Sequence, residues 1–192
     1  MNSAMTAELA PTHNLPRSLV LLFAFCCGAI VANLYYAQPI IELIAPDVGL
    51  APRQASLIVA LTQIGYAAGL LLLVPLADLL ENRRLMLLTT GAAFVCLLLA
   101  ATCHAPGPFL LLSLLLGLSS VSVQMLIPLA AHLAPEASRG RVVGNIMSGL
   151  LLGILLARPL ASLVAGHFGW RTVFFGAAVL MIPGGGYVRV AV

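Results

Sequence analysis

LMLLTTGAAFVCLLLAATCHAPGPFLLLSLLLGLSSVSVQMLIPLAAHLAP, residues 85–135, contains no aspartate, glutamate, lysine or arginine. A helix crosses the hydrocarbon core of a bilayer with about 20 residues, so this interval holds two crossings. The division falls in HAPGP, 104–108, where two prolines and a glycine end one helix and let the next begin. The same measure applied outward finds three further charge-free intervals, 18–41, 54–77 and 142–170, the last broken only by Arg158. Five crossings follow, and the fold class they predict is an all-α integral membrane bundle.

Composition agrees. Of the 192 residues 61% are hydrophobic and 8% charged, and the mean hydropathy is +1.10; soluble domains carry roughly a quarter charged residues. Nine basic residues, all arginine, and six acids leave a net charge of +3, spread between apolar runs rather than along a stripe, which argues against nucleic acid as a partner. The first apolar run exceeds the 7–15 residue core of a signal peptide, so it reads as a retained span. Cys26, Cys27, Cys96 and Cys103 lack metal-binding or redox spacing and read as small packing residues. Neither a metal nor a cofactor is implied.

A sixth apolar run, TVFFGAAVLMI, begins after Arg171, but PGGG at 183–186 is expected to stop it after 172–182, too short to cross. The expected layout is a tail at 1–17, a helical bundle at 18–182 and an atypical segment at 183–192, the last suggesting a truncated or frame-disrupted product. Arg17, Arg83, Arg84, Arg139, Arg141 and Arg189 fall on one side, and Arg53 and Arg171 on the other. The positive-inside rule then puts the N-terminus in the cytoplasm.

Arg158 lies deep in its interval, where insertion of an arginine costs about 2.5–3.5 kcal/mol. Two readings stay open: the guanidinium caps carbonyls freed by Pro159 or bonds a neighbouring helix, or it marks a polar cavity. No acid lies at its depth, so its partner is a neutral dipole, a bound anion, or a group outside the chain. The intramembrane candidates are Asn33, Tyr35, Tyr36 and Gln38 in NLYYAQP, with Gln63 and Gln124. Tyr35 and Tyr36 are equally explained as an interfacial aromatic belt. Gly149, Gly153, Ala157, Ala161 and Ala165 recur every four residues as a stripe without bulk, suited to close helix packing or to a gating interface. Gly65 and Gly69 share that spacing.

The short loops, the NLYYAQP of the first span and the PLADLLENRRL at 75–85 together resemble the N-terminal half of a twelve-helix major facilitator superfamily transporter, nearest to bacterial drug and metabolite exporters. The resemblance covers about residues 15–182. It implies a gating role for Asp78, Arg83 and Arg84 in the loop after the second span, although Val74, Glu81 and Asn82 depart from the family pattern. It also implies helix packing by a glycine motif in the fifth span. Gly144 and Gly153 match that motif, Ala157 replaces its next glycine, Arg158 stands at its proline, and Pro159 follows one place late. Ser113 stands where many proton-linked members carry an arginine.

The function implied is transport of a small organic solute, in the efflux direction, by a multi-pass protein of the bacterial inner membrane. Its partners would be the lipid bilayer, a solute that could be anionic, and a missing C-terminal six-helix half or a second copy. An arginine keeps its charge at working pH, so Arg158 cannot be the titrating group. The rival reading is a non-transporting assembly subunit that binds a partner through the small-residue stripe. An enzyme is disfavoured, because no nucleophile with a base beside it and no acid or histidine cluster lies within the spans.

Overall fold

The computed structural model describes residues 16–79 and 82–191, with side chains for 16–76 and 84–183. Every element is helical: α1 (Arg17–Ala32), α2 (Ile41–Asp47), α3 (Ser56–Leu79), α4 (Asn82–Thr102), α5 (Pro106–Ser119), α6 (Ser122–Leu133), α7 (Arg139–Phe168) and α8 (Trp170–Ala191). Hydrocarbon offers no partner to a backbone N–H or C=O, so helices satisfy those groups internally. Among the described residues, the stretches 52–76, 84–102, 106–133 and 139–168 are each long and apolar enough to cross a membrane.

Three crossings differ in detail from the sequence expectation. The first is not one helix over 18–41. It breaks at Asn33 into tight turns, in which Asn33, Leu34 and Tyr35 donate to the carbonyls three residues back, followed by a 3-10 turn at Gln38–Ile40 and then α2. Pro39, which cannot donate, and Ile40, at φ −123° and ψ 13°, separate these turns from α2. The fourth crossing breaks at Ser120–Val121 between α5 and α6. There the hydroxyls of Ser119 and Ser120 both donate to the Leu116 carbonyl, at 3.0 and 2.7 Å, competing with the helical ladder.

The sixth run does not stop at Pro183. Its helix continues to Ala191, 22 residues and roughly 33 Å at helical rise, although its apolar part, Trp170–Pro183, is shorter than the four stretches long enough to cross. Proline removes a single donor, whereas unwinding in hydrocarbon would expose many groups.

The helices pack as three close pairs: α3 along α5, α1 along α7 and α4 along α8. Glycines set the approach in the first two. A Cβ on Gly65 would strike the Leu114 carbonyl, one on Gly117 the Thr62 carbonyl, and one on Gly69 would lie 2.8 Å from the Leu118 oxygen. Between α1 and α7, a Cβ on Gly28 would lie 2.7 Å from the Gly149 oxygen, and one on Gly153 would strike Gly28 itself. Such contacts let backbones touch and maximise dispersion where no hydrophobic force acts between helices.

At one end of the bundle three connections are tied together. Asp47 Oδ2, in the last turn of α2, accepts a hydrogen bond from Trp170 Nε1 at 2.9 Å and forms an ion pair with Arg171. Arg171 Nη2 also donates to the Cys103 carbonyl at 3.3 Å, and its guanidinium lies 4.4 Å from the Trp170 ring centre. The bond from Trp170, then that from Arg171, holds the Asp47 carboxyl below its ordinary pKa. Beneath, Phe109, Trp170 and Phe174 meet edge to face with centroids 5.7–6.0 Å apart. Gly169, at φ 86°, is the single residue joining α7 to α8, in a conformation open to glycine.

Candidate solute-binding site

The break in the first crossing places its polar residues individually. Asn33, buried, caps α1 with its backbone N–H and sends Nδ2 toward Met181 Sδ of α8 at 3.6 Å; its Oδ1 is buried with no hydrogen-bond partner among the described residues. Tyr36 is also buried. Gln38, half-buried, donates from Nε2 to the Leu34 carbonyl at 3.3 Å, which fixes the amide so that Oε1 points outward.

That oxygen accepts a hydrogen bond from Arg158 Nη2 at 2.6 Å. The guanidinium carbon also lies 5.7 Å from the centre of the Tyr35 ring, within cation–π range. Arg158 is thus held by a neutral dipole and an aromatic face from the turns of the first crossing, and not by the carbonyls that Pro159 releases in its own helix. Its side chain is exposed, and the guanidinium fork has further donors that no described residue uses. Chemically, this is a fixed cation able to receive a carboxylate or phosphate in bidentate fashion. It stands ten residues, roughly 15 Å, from the end of α7 at Phe168, just past the middle of that 30-residue helix toward the clasped end.

The other candidates do not join it. Gln124 Nε2 donates to the Tyr66 hydroxyl at 2.9 Å, linking α6 to α3 at a separate exposed point. Gln63 is exposed on α3 and makes no side-chain hydrogen bond among the described residues. The side chains of Asp78 and Arg83 lie outside the described residues; Arg84 is exposed in the first turn of α4. Gly149 and Gly153 face α1, Ala157 is buried, and Gly144 and Pro159 are exposed, with open space where a Cβ on Gly144 would stand. The stripe is therefore largely occupied within the chain. Tyr35 was among the sequence candidates, whereas Tyr66 is a partner that spacing does not assign, since it is specified by a neighbouring helix.

A groove of about 470 Å³ runs between α1 and α7, lined among others by Tyr36, Gly153, Leu156 and Leu160, with Leu180 of α8 at its edge. Arg158 does not line it. The cation and this apolar groove thus belong to different faces of α7.

Comparison with known proteins gives the same assignment. The chain matches the Major Facilitator Superfamily over residues 4–191. It is 50% identical over 171 residues to the "Putative uncharacterized transporter YgaY" of Escherichia coli (strain K12), covering 89% of this chain and 43% of that protein. It is 39% identical over 170 residues to the "Probable transporter SCO4007" of Streptomyces coelicolor, covering 88% and 40%. Over 105 residues it is 36% identical to the "Multidrug resistance protein MdtG" of Salmonella paratyphi C, covering 53% and 26%. The chain thus spans less than half the length of these relatives. Extent of match, identity to transporters and an all-helical membrane bundle agree, and the chain belongs to the major facilitator superfamily.

Proposed function

We propose that the chain serves as one half of a secondary transporter that exports a small organic solute across a bacterial inner membrane, with the Arg17 end in the cytoplasm. The observation that carries this reading is Arg158, a permanent cation deep in a span, held by Gln38 and Tyr35 yet exposed and with donors to spare. An anionic group on the solute answers that charge better than the neutral amide alone. Similarity to a protein named for multidrug resistance supports the outward direction.

Transporters built from two repeats bind solute near the midplane between them and rock one against the other. The opposing wall here would come from a second six-helix half or a second copy of this chain, engaged in part by Asp78, Arg83 and Arg84. Any coupling to protons needs a titrating group other than Arg158. No cofactor or metal takes part in this reading. The rival reading, an assembly subunit that recruits a partner through the small-residue stripe, loses its main support because α1 already covers Gly149 and Gly153.

A cysteine at position 158, in a chain whose four native cysteines are replaced by serine or alanine, should react in membranes with a water-soluble methanethiosulfonate reagent. Complete inertness of the cysteine would remove Arg158 from any aqueous site and sink the proposal.

A further inference from the structure

The end of the bundle opposite the Asp47 clasp carries a second cavity, of about 420 Å³, between the starts of α1 and α7. Its polar lining is Arg17, Arg141, Ser138 and Asn145. No acid lines it, and neither arginine has an ion-pair partner among the described residues. Two guanidinium groups and the first turn of a 30-residue helix, whose unpaired N–H groups carry partial positive charge, therefore converge on one space.

This cavity adjoins the apolar groove between α1 and α7, since Leu21 and Asn145 line both. From Leu21 to Ala32 the groove follows α1 for roughly 16 Å along the bundle axis. Gly28, Gly149 and Gly153 form its floor, so no side chain fills it. The result is a cationic pocket at the depth of lipid headgroups, adjoining an apolar channel directed toward the membrane centre. Basic pockets between spans select anionic headgroups, and each arginine near the surface contributes about 1 kcal/mol.

The geometry points to a binding site for an anionic phospholipid of the leaflet that contains Arg17 and Arg141, with its phosphate between the two arginines and one acyl chain along the α1–α7 groove. Charge complementarity at one end and an apolar trough at the other favour a lipid over a free anion, which would leave the groove empty, and over a zwitterionic lipid, which would bring its own cation beside the arginines.

The test is native mass spectrometry of the full chain released from detergent after titration with phosphatidylglycerol or phosphatidylcholine. Phosphatidylglycerol should be retained about 25-fold more strongly, the product of about fivefold per arginine. The exposed pair Arg17→Gln/Arg141→Gln should bring it down to the phosphatidylcholine level, whereas Arg53→Gln, at the clasped end, should not. Leu156→Trp, which fills the groove, should weaken retention while leaving the binding of inorganic phosphate unchanged. Equal retention of the two lipids, indifference to the double substitution, or a lipid-free chain that dimerises through a cysteine placed at Leu156 would each overturn the proposal. None of these readouts depends on Arg158, so this site and the transport reading can fail separately.

Discussion

Arg158 of α7 donates to Gln38 across 120 positions of sequence, joining the one deep charge of the bundle to the turns that interrupt its first crossing. The amide is itself fixed by the Leu34 carbonyl, so the break in the first crossing and the position of the cation are one arrangement.

Replacing Gln38 should therefore be felt at Arg158. Gln38→Leu leaves the guanidinium without its acceptor and should destabilise the chain by about 1.5–3 kcal/mol, the range for hydrogen bonds to charged groups. Gln38→Glu places a carboxylate at the same point and should raise stability. Thermal unfolding in detergent distinguishes them, and a common direction for both would show that this contact is incidental.

The glycine contacts predict a sharp contrast along the chain. Gly117→Leu drives a side chain into the Thr62 carbonyl and should cost about 3 kcal/mol or more, separating α3 from α5. Gly166→Ala, on α7 with nothing within 4 Å of the new Cβ, should be neutral or stabilise by about 0.5–1 kcal/mol. Resistance to proteolysis of the purified variants provides the comparison.

The Asp47 clasp should respond to acid. Its carboxyl titrates below the ordinary value, so its contribution is complete above about pH 3.9 and is lost as the pH falls through the lowered pKa. Trp170 is the single tryptophan and touches Asp47 directly, so its fluorescence reports the change. Asp47→Asn should flatten that acid limb; an unchanged titration would assign it to another group.

Cysteine labelling tests the orientation. Cys26, Cys27 and Cys96 are buried, while Cys103 is partly exposed beside the clasp. A membrane-impermeant maleimide added to intact cells should label Cys103 alone. Labelling only after the cells are opened would place the Trp170 end in the cytoplasm and reverse the proposed topology.

Much of the bundle is legible from hydropathy, because a membrane turns length and apolarity into a crossing. HAPGP divides 85–135 where α4 ends and α5 begins, and the spacing of Gly149 and Gly153 foretells a close helix neighbour without naming α1. The breaks at Asn33 and Ser120 are less visible, since a hydroxyl or amide that competes with the helical ladder does so only when burial removes water as an alternative. PGGG at 183–186 misleads for the opposite reason: propensities measured in water overstate how readily a chain unwinds in hydrocarbon. At the candidate site, the isolated charge of Arg158 announces itself and NLYYAQP contains its partners Gln38 and Tyr35, whereas the choice of these two from the candidates and the Asp47–Trp170–Arg171 clasp depend on which helices become neighbours.

The backbone-to-backbone seating of Gly28 on Gly149 and of Gly65 on Leu114 has a mechanical consequence. A helix seated on its neighbour's carbonyls cannot slide or roll alone, because each step would drive a Cα into an oxygen. The α1–α7 and α3–α5 pairs must each travel as one bar, with α4–α8 laid alongside them and the clasp binding their ends. Force applied to any crossing is then delivered to the rest as rotation of a stiff body, and a motion that reshapes the space around Arg158 has to come from the surface on which that body turns.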